Sequence, residues 1–459
     1  MIFLLNYTKL FIWTLIYSQY KSDFLLKIIK KNIDDCGCIA TKFIQWALPK
    51  IEVVYDINKK EKGNEWFYEF EEFYDKCKTH SIEVTEKIYE KDFNNSIYDD
   101  FTIDELIASG SIGQVYKVHD KNDQTFAIKV LHPNMNYQIL FLDYIIKIIY
   151  FFPFIRNIIN YYLPISLSDF ISDFKLQTNL INEANNCLKF KNEYKSNDLI
   201  IIPEVYKMSK NILVMSYEEG IKIDDSNSSD YIKHQTLLLL KLFIKNNQHL
   251  FQFMHGDLHK GNWKMKEDGK IVIYDFGFCW KIPNYLKESF QIIDKAFLDV
   301  DNPKKIKSSF AEACHLFVNK KVDIEPIEKE VDLLSKELEC DDPIFLIKLV
   351  INCITKNNII LNSYVLQSII LHNQLHKNFQ DYNVTLEVEE DKGEGYISYN
   401  YYRKRIHDII CFCETKKIFD GYKNLLIKEY QDNDIKIEGL FDTVNNYDNI
   451  KGLKELAIS

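Results

Sequence analysis

His255-Gly256-Asp257-Leu258-His259-Lys260-Gly261-Asn262, followed at Asp275-Phe276-Gly277 by a second acidic motif, decides the reading of this chain. An aspartate and an asparagine five positions apart, then an acidic group delivered by one short hairpin, place a base and two metal ligands around one triphosphate. Asp257 stands where a loop carboxylate accepts or orients a hydroxyl proton. Asn262 offers magnesium a neutral oxygen without adding a repelling charge, and Asp275 is the harder, anionic ligand. Between them Trp263 to Tyr274 reads as a hairpin: Trp263-Lys264-Met265, a turn at Glu267-Asp268-Gly269, then the apolar strand Ile271 to Tyr274. Asp-Phe-Gly alone is a weak signal; joined to the preceding loop it is a strong one.

The other half of such a site lies upstream in the right order. Leu106 to Val118 reads as strand, small-residue turn, strand, with Ala108, Ser109, Gly110 and Ser111 at the turn, a geometry that lays backbone N–H groups over phosphates. Eleven residues beyond Val118, Lys129 closes the strand Phe126-Ala127-Ile128-Lys129-Val130 as a phosphate-pairing lysine. A lysine buried in such a strand needs a carboxylate partner. Glu183, in the helical run Asn179 to Tyr194, is the best candidate.

These residues resemble the UbiB family of atypical kinases, also called the ADCK or aarF-domain family. The resemblance rests on Ala108-Ser109-Gly110-Ser111-Ile112-Gly113-Gln114-Val115, Lys129-Val130-Leu131-His132-Pro133, Glu183-Ala184-Asn185 and the His255 to Asn262 run, and covers about residues 36 to 290. Ordinary protein kinases differ, with Gly-x-Gly-x-x-Gly and His-Arg-Asp in the corresponding places. Lys42-Phe43-Ile44-Gln45 resembles the family's Lys-x-Gly-Gln signature, which implies a helix folded over the nucleotide cleft and a regulatory role for Lys42 and Gln45. Two departures stand out. Ile44 replaces the signature glycine, and Gln177-Thr178-Asn179 stands where the family has an acidic Glu-x-Asp, so Lys42 is expected to meet amides and to restrain the cleft less. Ile212 to Ser216, leading into Tyr217-Glu218-Glu219-Gly220, resembles the family's strand into hinge, with Met215 and Tyr217 beside the adenine.

The resemblance implies an α+β, bilobal protein-kinase-like fold with a helical N-terminal extension and a helical C-terminal region. Its expected parts are an apolar segment at 1–35, the extension at 36–100, the smaller lobe at 101–216 with a helical insertion at 139–176, the larger lobe at 217–345, and helices over 346–459. ATP and Mg2+ are the implied cofactors, phosphoryl transfer or ATP hydrolysis the implied activity, and isoprenoid-quinone or other lipid metabolism at a membrane the implied setting, with a small or lipid-like substrate. Two rivals stay open: a protein kinase acting in trans, and a pseudokinase scaffold. The stretch Phe278 to Pro283 has no obvious phosphosite, which speaks against the first. The presence of Lys129, Glu183, Asp257, Asn262 and Asp275 speaks against the second.

Composition sets wider bounds. A net charge of −10 over 459 residues, with no long basic stripe, argues against a nucleic-acid partner. Ten irregularly spaced cysteines suit a reducing, intracellular compartment. Cys36-x-Cys38 and Cys411-x-Cys413 lack the usual zinc spacing, and His372 with His376 lacks the accompanying glutamate, so buried side chains are the plainer reading of both. Residues 2–17 are apolar but short for a span and interrupted by Asn6 and Lys9. A membrane anchor, an interfacial helix and a helix packed on the domain all remain open for them. Residues 139–165 are cut by Pro153 and Pro164 and predict two short helices. Tyr231 to Phe253 predicts one apolar helix beneath the Asp257 loop, and the chain reads as helical from 281 to about 382, before an acidic loop at 387–395 and a further helical tail.

Overall fold

The computed structural model describes residues 2–55, 69–70, 79–162, 166–195, 197, 199–228, 230–284, 286, 317–318, 325–337, 343–357 and 359–382. The run Glu65 to Phe73 reads as a helix in the sequence, but only its residues 69–70 are described, and most of the segment from 287 to 324, the acidic loop, the tail and Cys411-x-Cys413 lie outside these residues.

Three helices open the chain: α1 (Ile2–Gln19), α2 (Asp23–Cys36) and α3 (Cys38–Tyr55). Ser22 caps α2 by accepting a hydrogen bond from the Leu25 N–H, and Gly37, at φ 87°, turns the chain out of it. One side of α1 packs Tyr7, Leu10, Trp13 and Tyr17 against Ile29, Ile33, Cys36 and Ala40. Its other side leaves Leu5, Phe11, Ile12 and Leu15 exposed. No helix among the described residues is long and apolar enough to cross a membrane. Ile44 also packs on this cluster.

Helices α4 (Ile82–Phe93) and α5 (Ile97–Asp100) lead into an antiparallel sheet of order β1-β2-β3-β6-β5, built from β1 (Thr102–Ser109), β2 (Gly113–His119), β3 (Thr125–Leu131), β5 (Val205–Met208) and β6 (Ile212–Ser216). Period-two alternation divides β3 between two cores. Phe126, Ile128 and Val130 join Tyr89 of α4 and Ile97 of α5, while Leu131 joins the larger core, beyond the sheet's opposite face. At the β2–β3 start a Cβ on residue 113 would sit 2.4 Å from the Val130 carbonyl oxygen, so glycine is required there.

The insertion after β3 forms α6 (Met135–Phe151), α7 (Pro153–Tyr162) and α8 (Leu167–Gln177), with Pro153 at the first position of its helix. Asn179 caps α9 (Leu180–Glu193). After α10 (Asp230–Asn246) the structure departs from the expected single helix. Residues Asn247–Phe251 widen into a π turn, and Phe253–His255 becomes strand β7, antiparallel to β10 (Cys279–Lys281). The apolar run through Phe251 and Phe253 suits a buried strand as well as a helix, so its periodicity conceals the change. A second sheet joins β8 (Trp263–Met265) to β9 (Ile271–Ile273) in the expected hairpin, with β4 (Ile200–Ile201) parallel to β9. Helices α11 (Glu325–Glu337), α12 (Pro343–Lys356) and α13 (Ser363–Asp381) follow, and α12 and α13 pack on α3.

Candidate active site

Lys129 sits in the middle of β3, pairing across the sheet with Val115 and Leu213, and reaches two carboxylates at once. Its Nζ is 2.8 Å from both oxygens of Glu183 and 3.0 Å from Asp275 Oδ1. Burial works against the ammonium, but Asp275 and Glu183 override it and hold Lys129 above its usual range. Burial likewise opposes ionisation of Asp275, and Lys129 and then Lys42 override it, so Asp275 stays well below the usual carboxylate range. Glu183 is pushed up to about 7, first by burial and then by Asp275. Lys129 thus serves two acids that repel each other.

The backbone around Asp275 is specialised. Asp275 occupies the left-handed region at φ 51°, and its Oδ1 accepts from the Gly277 N–H at 3.2 Å. The His255 to Asn262 loop is tied to the same place. His255 Nε2–H donates to the Tyr274 carbonyl at 3.1 Å, and its bare Nδ1 accepts from the Asp257 N–H at 3.2 Å. Burial pushes His255 toward this neutral form. Asn262 Nδ2 donates to the Asp257 carbonyl at 2.8 Å, which spends its amino group on the loop and leaves Oδ1 for a cation. Asp275, with Oδ1 turned to Lys129 and Gly277, keeps a second oxygen of the hard type magnesium takes. This donor set fits a magnesium-bound nucleotide.

Gly256 replaces the arginine of ordinary kinases for a steric reason. A Cβ there would lie 2.4 Å from Trp280 Cζ3 and 2.6 Å from Phe278 Cδ1. The Gly256 N–H donates to the Phe278 carbonyl at 2.7 Å, and its carbonyl accepts from Gln367 Nε2 at 2.6 Å.

At the other rim, Ala108 and Gly110 are exposed, Ser109 is half-buried and Ser111 is buried. The Ser111 hydroxyl donates to Gln45 Oε1 at 2.7 Å, so α3 is seated directly on this turn. At the hinge, Met215 pairs with Ala127 and Val205, and the Tyr217 ring lies under the Lys117 ammonium, 4.8 Å from Nζ to centroid. Ser216 Oγ accepts from the Glu204 N–H at 2.9 Å and donates to Glu218 at 3.0 Å.

Lys42 does not follow expectation. Its Nζ stands 3.6 Å from Asp257 Oδ2, so it faces the loop carboxylate and not an amide pair. Asn179 is committed to capping α9, accepting from the Ile181 N–H at 3.2 Å, and Gln177 is buried with its Cγ beside Gly277. Sequence reasoning also passed over Lys50, two turns beyond Lys42 on the same helix face. Buried Lys50 donates to Gln367 Oε1 at 2.9 Å and to the Trp46 carbonyl at 3.2 Å. Through Gln367 it reaches the Gly256 carbonyl. The Lys42 to Lys50 spacing was a visible signal; Gln367, 111 residues from Gly256, had none.

Among the described residues no group of three or more His, Cys, Asp or Glu side chains is placed to hold a metal by itself, and His372 turns its Nδ1 to the Ser368 carbonyl at 2.7 Å. Neither Cys36 nor Cys38 is in a disulfide; Cys36 is buried and Cys38 partly buried.

Residues 56–309, more than half of the chain, match the model of the ABC1 atypical kinase-like domain. A probable serine/threonine-protein kinase abkC of Dictyostelium discoideum is 29% identical over 250 residues, covering 51% of this chain and 34% of that protein. A probable protein kinase UbiB of Shewanella denitrificans is 25% identical over 305 residues, covering 63% and 52%. The chain thus spans about a third to a half of the length of these relatives. A solved Mycobacterium tuberculosis protein in complex with erythromycin aligns at a TM-score of 0.41 and 16% identity, over 57% of this chain and 68% of that one. Lys42 and Gln45 precede the matched region, whereas Lys129, Glu183, Asp257, Asn262 and Asp275 all fall inside it, and on that match the chain belongs to the UbiB, or ADCK, family of ABC1 atypical kinase-like proteins.

Proposed function

We propose that this chain binds magnesium-ATP between its five-stranded sheet and the Asp257 loop, in a two-lobed kinase-like arrangement, and transfers the terminal phosphoryl group to an acceptor hydroxyl or to water. The observation that carries this reading is Lys129 held at 2.8 Å from Glu183 and 3.0 Å from Asp275, a pairing that keeps a buried ammonium charged where phosphates would lie. Asp275 and Asn262 would hold the metal, which neutralises charge on the phosphates when bound. Asp257 orients the acceptor oxygen and takes its proton as the new oxygen–phosphorus bond forms and the bond to the bridging oxygen of ADP breaks. Ala108, Ser109, Gly110 and Ser111 cover the phosphates, and Met215 and Tyr217 flank the base. The Ser111 contact to Gln45 and the Lys42 contact to Asp257 support α3 as a cover that favours a small or lipid-like acceptor over a protein. The exposed apolar side of α1 supports a membrane surface as the place of work, and the UbiB relatives support a link to quinone metabolism.

The ion pair that Lys42 makes with Asp257 favours a second reading, an ATP-binding scaffold with little turnover. Thermal unfolding with ATP, with and without magnesium, tests what both share. Wild type should gain about 2.7 kcal/mol at 100 times the dissociation constant, and Asp275→Asn should lose the magnesium-dependent part. A melting temperature indifferent to magnesium-ATP would sink both readings; binding without phosphate release would leave the scaffold.

A further inference from the structure

The turn at 108–111 is held from beneath by side chains outside the nucleotide set. His132, just after β3, donates its backbone N–H to the Ile112 carbonyl at 2.9 Å, and its Nε2 lies 2.9 Å from the Gly110 carbonyl oxygen. A carbonyl only accepts, so Nε2 carries the proton. His132 Nδ1 is 2.8 Å from His80 Nδ1. Two ring nitrogens at that distance share one hydrogen, and a neutral His132 has already placed its own on Nε2; the shared one belongs to His80 Nδ1. His80 Nε2 is therefore bare and accepts from Thr85 Oγ1 at 3.0 Å. With that proton used, Thr85 Oγ1 accepts from the Tyr116 hydroxyl at 3.0 Å, and the Tyr116 oxygen accepts from Gln114 Nε2. The Gln114 amide closes on the His80 backbone, accepting from its N–H at 3.0 Å and donating to its carbonyl at 3.1 Å. Every proton in the run has one place, and all point from Gln114 toward Gly110. Burial favours the neutral imidazoles this requires, with His80 pushed down to about 4.

We propose that His132, with its tautomer set by His80, is a positioning residue for nucleotide phosphates, acting through the Gly110 carbonyl. The carbonyl of residue 110 and the N–H of Ser111 share one trans peptide plane and point opposite ways. Drawing the Gly110 oxygen down onto His132 turns the Ser111 N–H outward, the group a phosphate oxygen would meet. The proposal rests on the ATP reading for its ligand, but its geometry can be tested without one.

The test uses the full chain. Nitrogen-15 spectra of the histidine side chains should show neutral rings protonated at Nε2 in His132 and at Nδ1 in His80; the opposite tautomers would overturn the proposal. His132→Gln keeps an amide donor for Gly110 and an acceptor for His80, whereas His132→Met keeps the bulk and loses both. Magnesium-ATP affinity should fall about tenfold in His132→Met, the value of one lost hydrogen bond, and return to within about threefold of wild type in His132→Gln. Adenosine, which has no phosphates, should bind all three alike. Equal losses in both variants, or parallel losses for adenosine, would mean packing and not positioning. If wild type binds no magnesium-ATP the functional reading fails, and hydrogen exchange at Gly110 and Ser111 then decides alone: faster exchange in the Met variant than in the Gln variant is required. Should His132→Met not fold, His80→Leu against His80→Asn makes the same comparison, because the Asn amide stands in for Nδ1–H.

Discussion

Asp257 lies between the Lys42 ammonium at 3.6 Å and the His259 imidazole, whose Nε2 is at 3.9 Å, and is still about one third exposed. A hydroxyl approaching it must displace the Lys42 ammonium. Partly exposed pairs of this kind contribute about 0.2–1 kcal/mol, so Lys42→Ala should raise turnover by no more than about fivefold and leave ATP affinity almost unchanged. Asp257→Asn, in either background, should keep ATP affinity within about threefold and lower turnover by on the order of 10²–10⁴. Steady-state phosphate release beside equilibrium ATP binding measures both. Equal losses of binding and turnover in the Asn variant would give Asp257 a structural role. Asn179→Asp should preserve the α9 cap and leave turnover where it is, since Asn179 is turned to Ile181 and not to Lys42.

At the scale of elements, helix α3 is joined to the Asp257 loop by buried Lys50, through Gln367, as well as by Lys42. Burial pushes Lys50 down to about 7, against the pull of Asp173 and Asp257. An unfolded lysine titrates near 10.4, so from about pH 7 to about pH 10 the unfolded chain binds more protons at this position and stability contributed here rises with pH. Lys50→Met should flatten that rise in urea unfolding curves taken across the range, and should loosen the Gly256 loop through Gln367. An identical slope in variant and wild type would show that Lys50 keeps its proton in the fold. Elements with local punctuation were legible in the sequence: the β8–β9 hairpin follows from Asp268-Gly269, with Gly269 at φ 82°, and α9 fills the expected helical run from Asn179 to Tyr194. The π turn at Asn247 was not, because the apolar run continues unbroken through it. Nor were the contacts of Gln367 with Gly256 and of His80 with His132, which join residues 111 and 52 positions apart through packing that no local pattern encodes. Lys42 stands 3.6 Å from Asp257 Oδ2, and its expected amide partners were misjudged because Asn179 had a stronger local use as a helix cap.

Among the described residues, exposed apolar side chains include Phe11 and Leu15 on α1 and Tyr144, Phe151 and Phe154 on α6 and α7. With a net charge of −10, the chain gains nothing overall from an anionic surface, so attachment to lipid would rest on burial of these rings and aliphatics. Full-length protein should co-sediment with zwitterionic vesicles, with little response to salt. Phe11→Glu with Leu15→Glu should cut the bound fraction at least tenfold, given about 1.5–3 kcal/mol for each large apolar side chain buried. Protein that stays in the supernatant with neutral and anionic vesicles alike would remove the membrane from this account.

Gly256 carries a consequence for descent. A Cβ at that position meets Phe278 and Trp280 on the neighbouring segment, so no single codon change leads from His-Gly-Asp to the His-Arg-Asp of ordinary kinases through a well-packed intermediate. The arginine becomes admissible only after both aromatics shrink, and shrinking them first opens a cavity beside β7 and β10. In this chain Phe278 and Trp280 thus hold residue 256 to glycine.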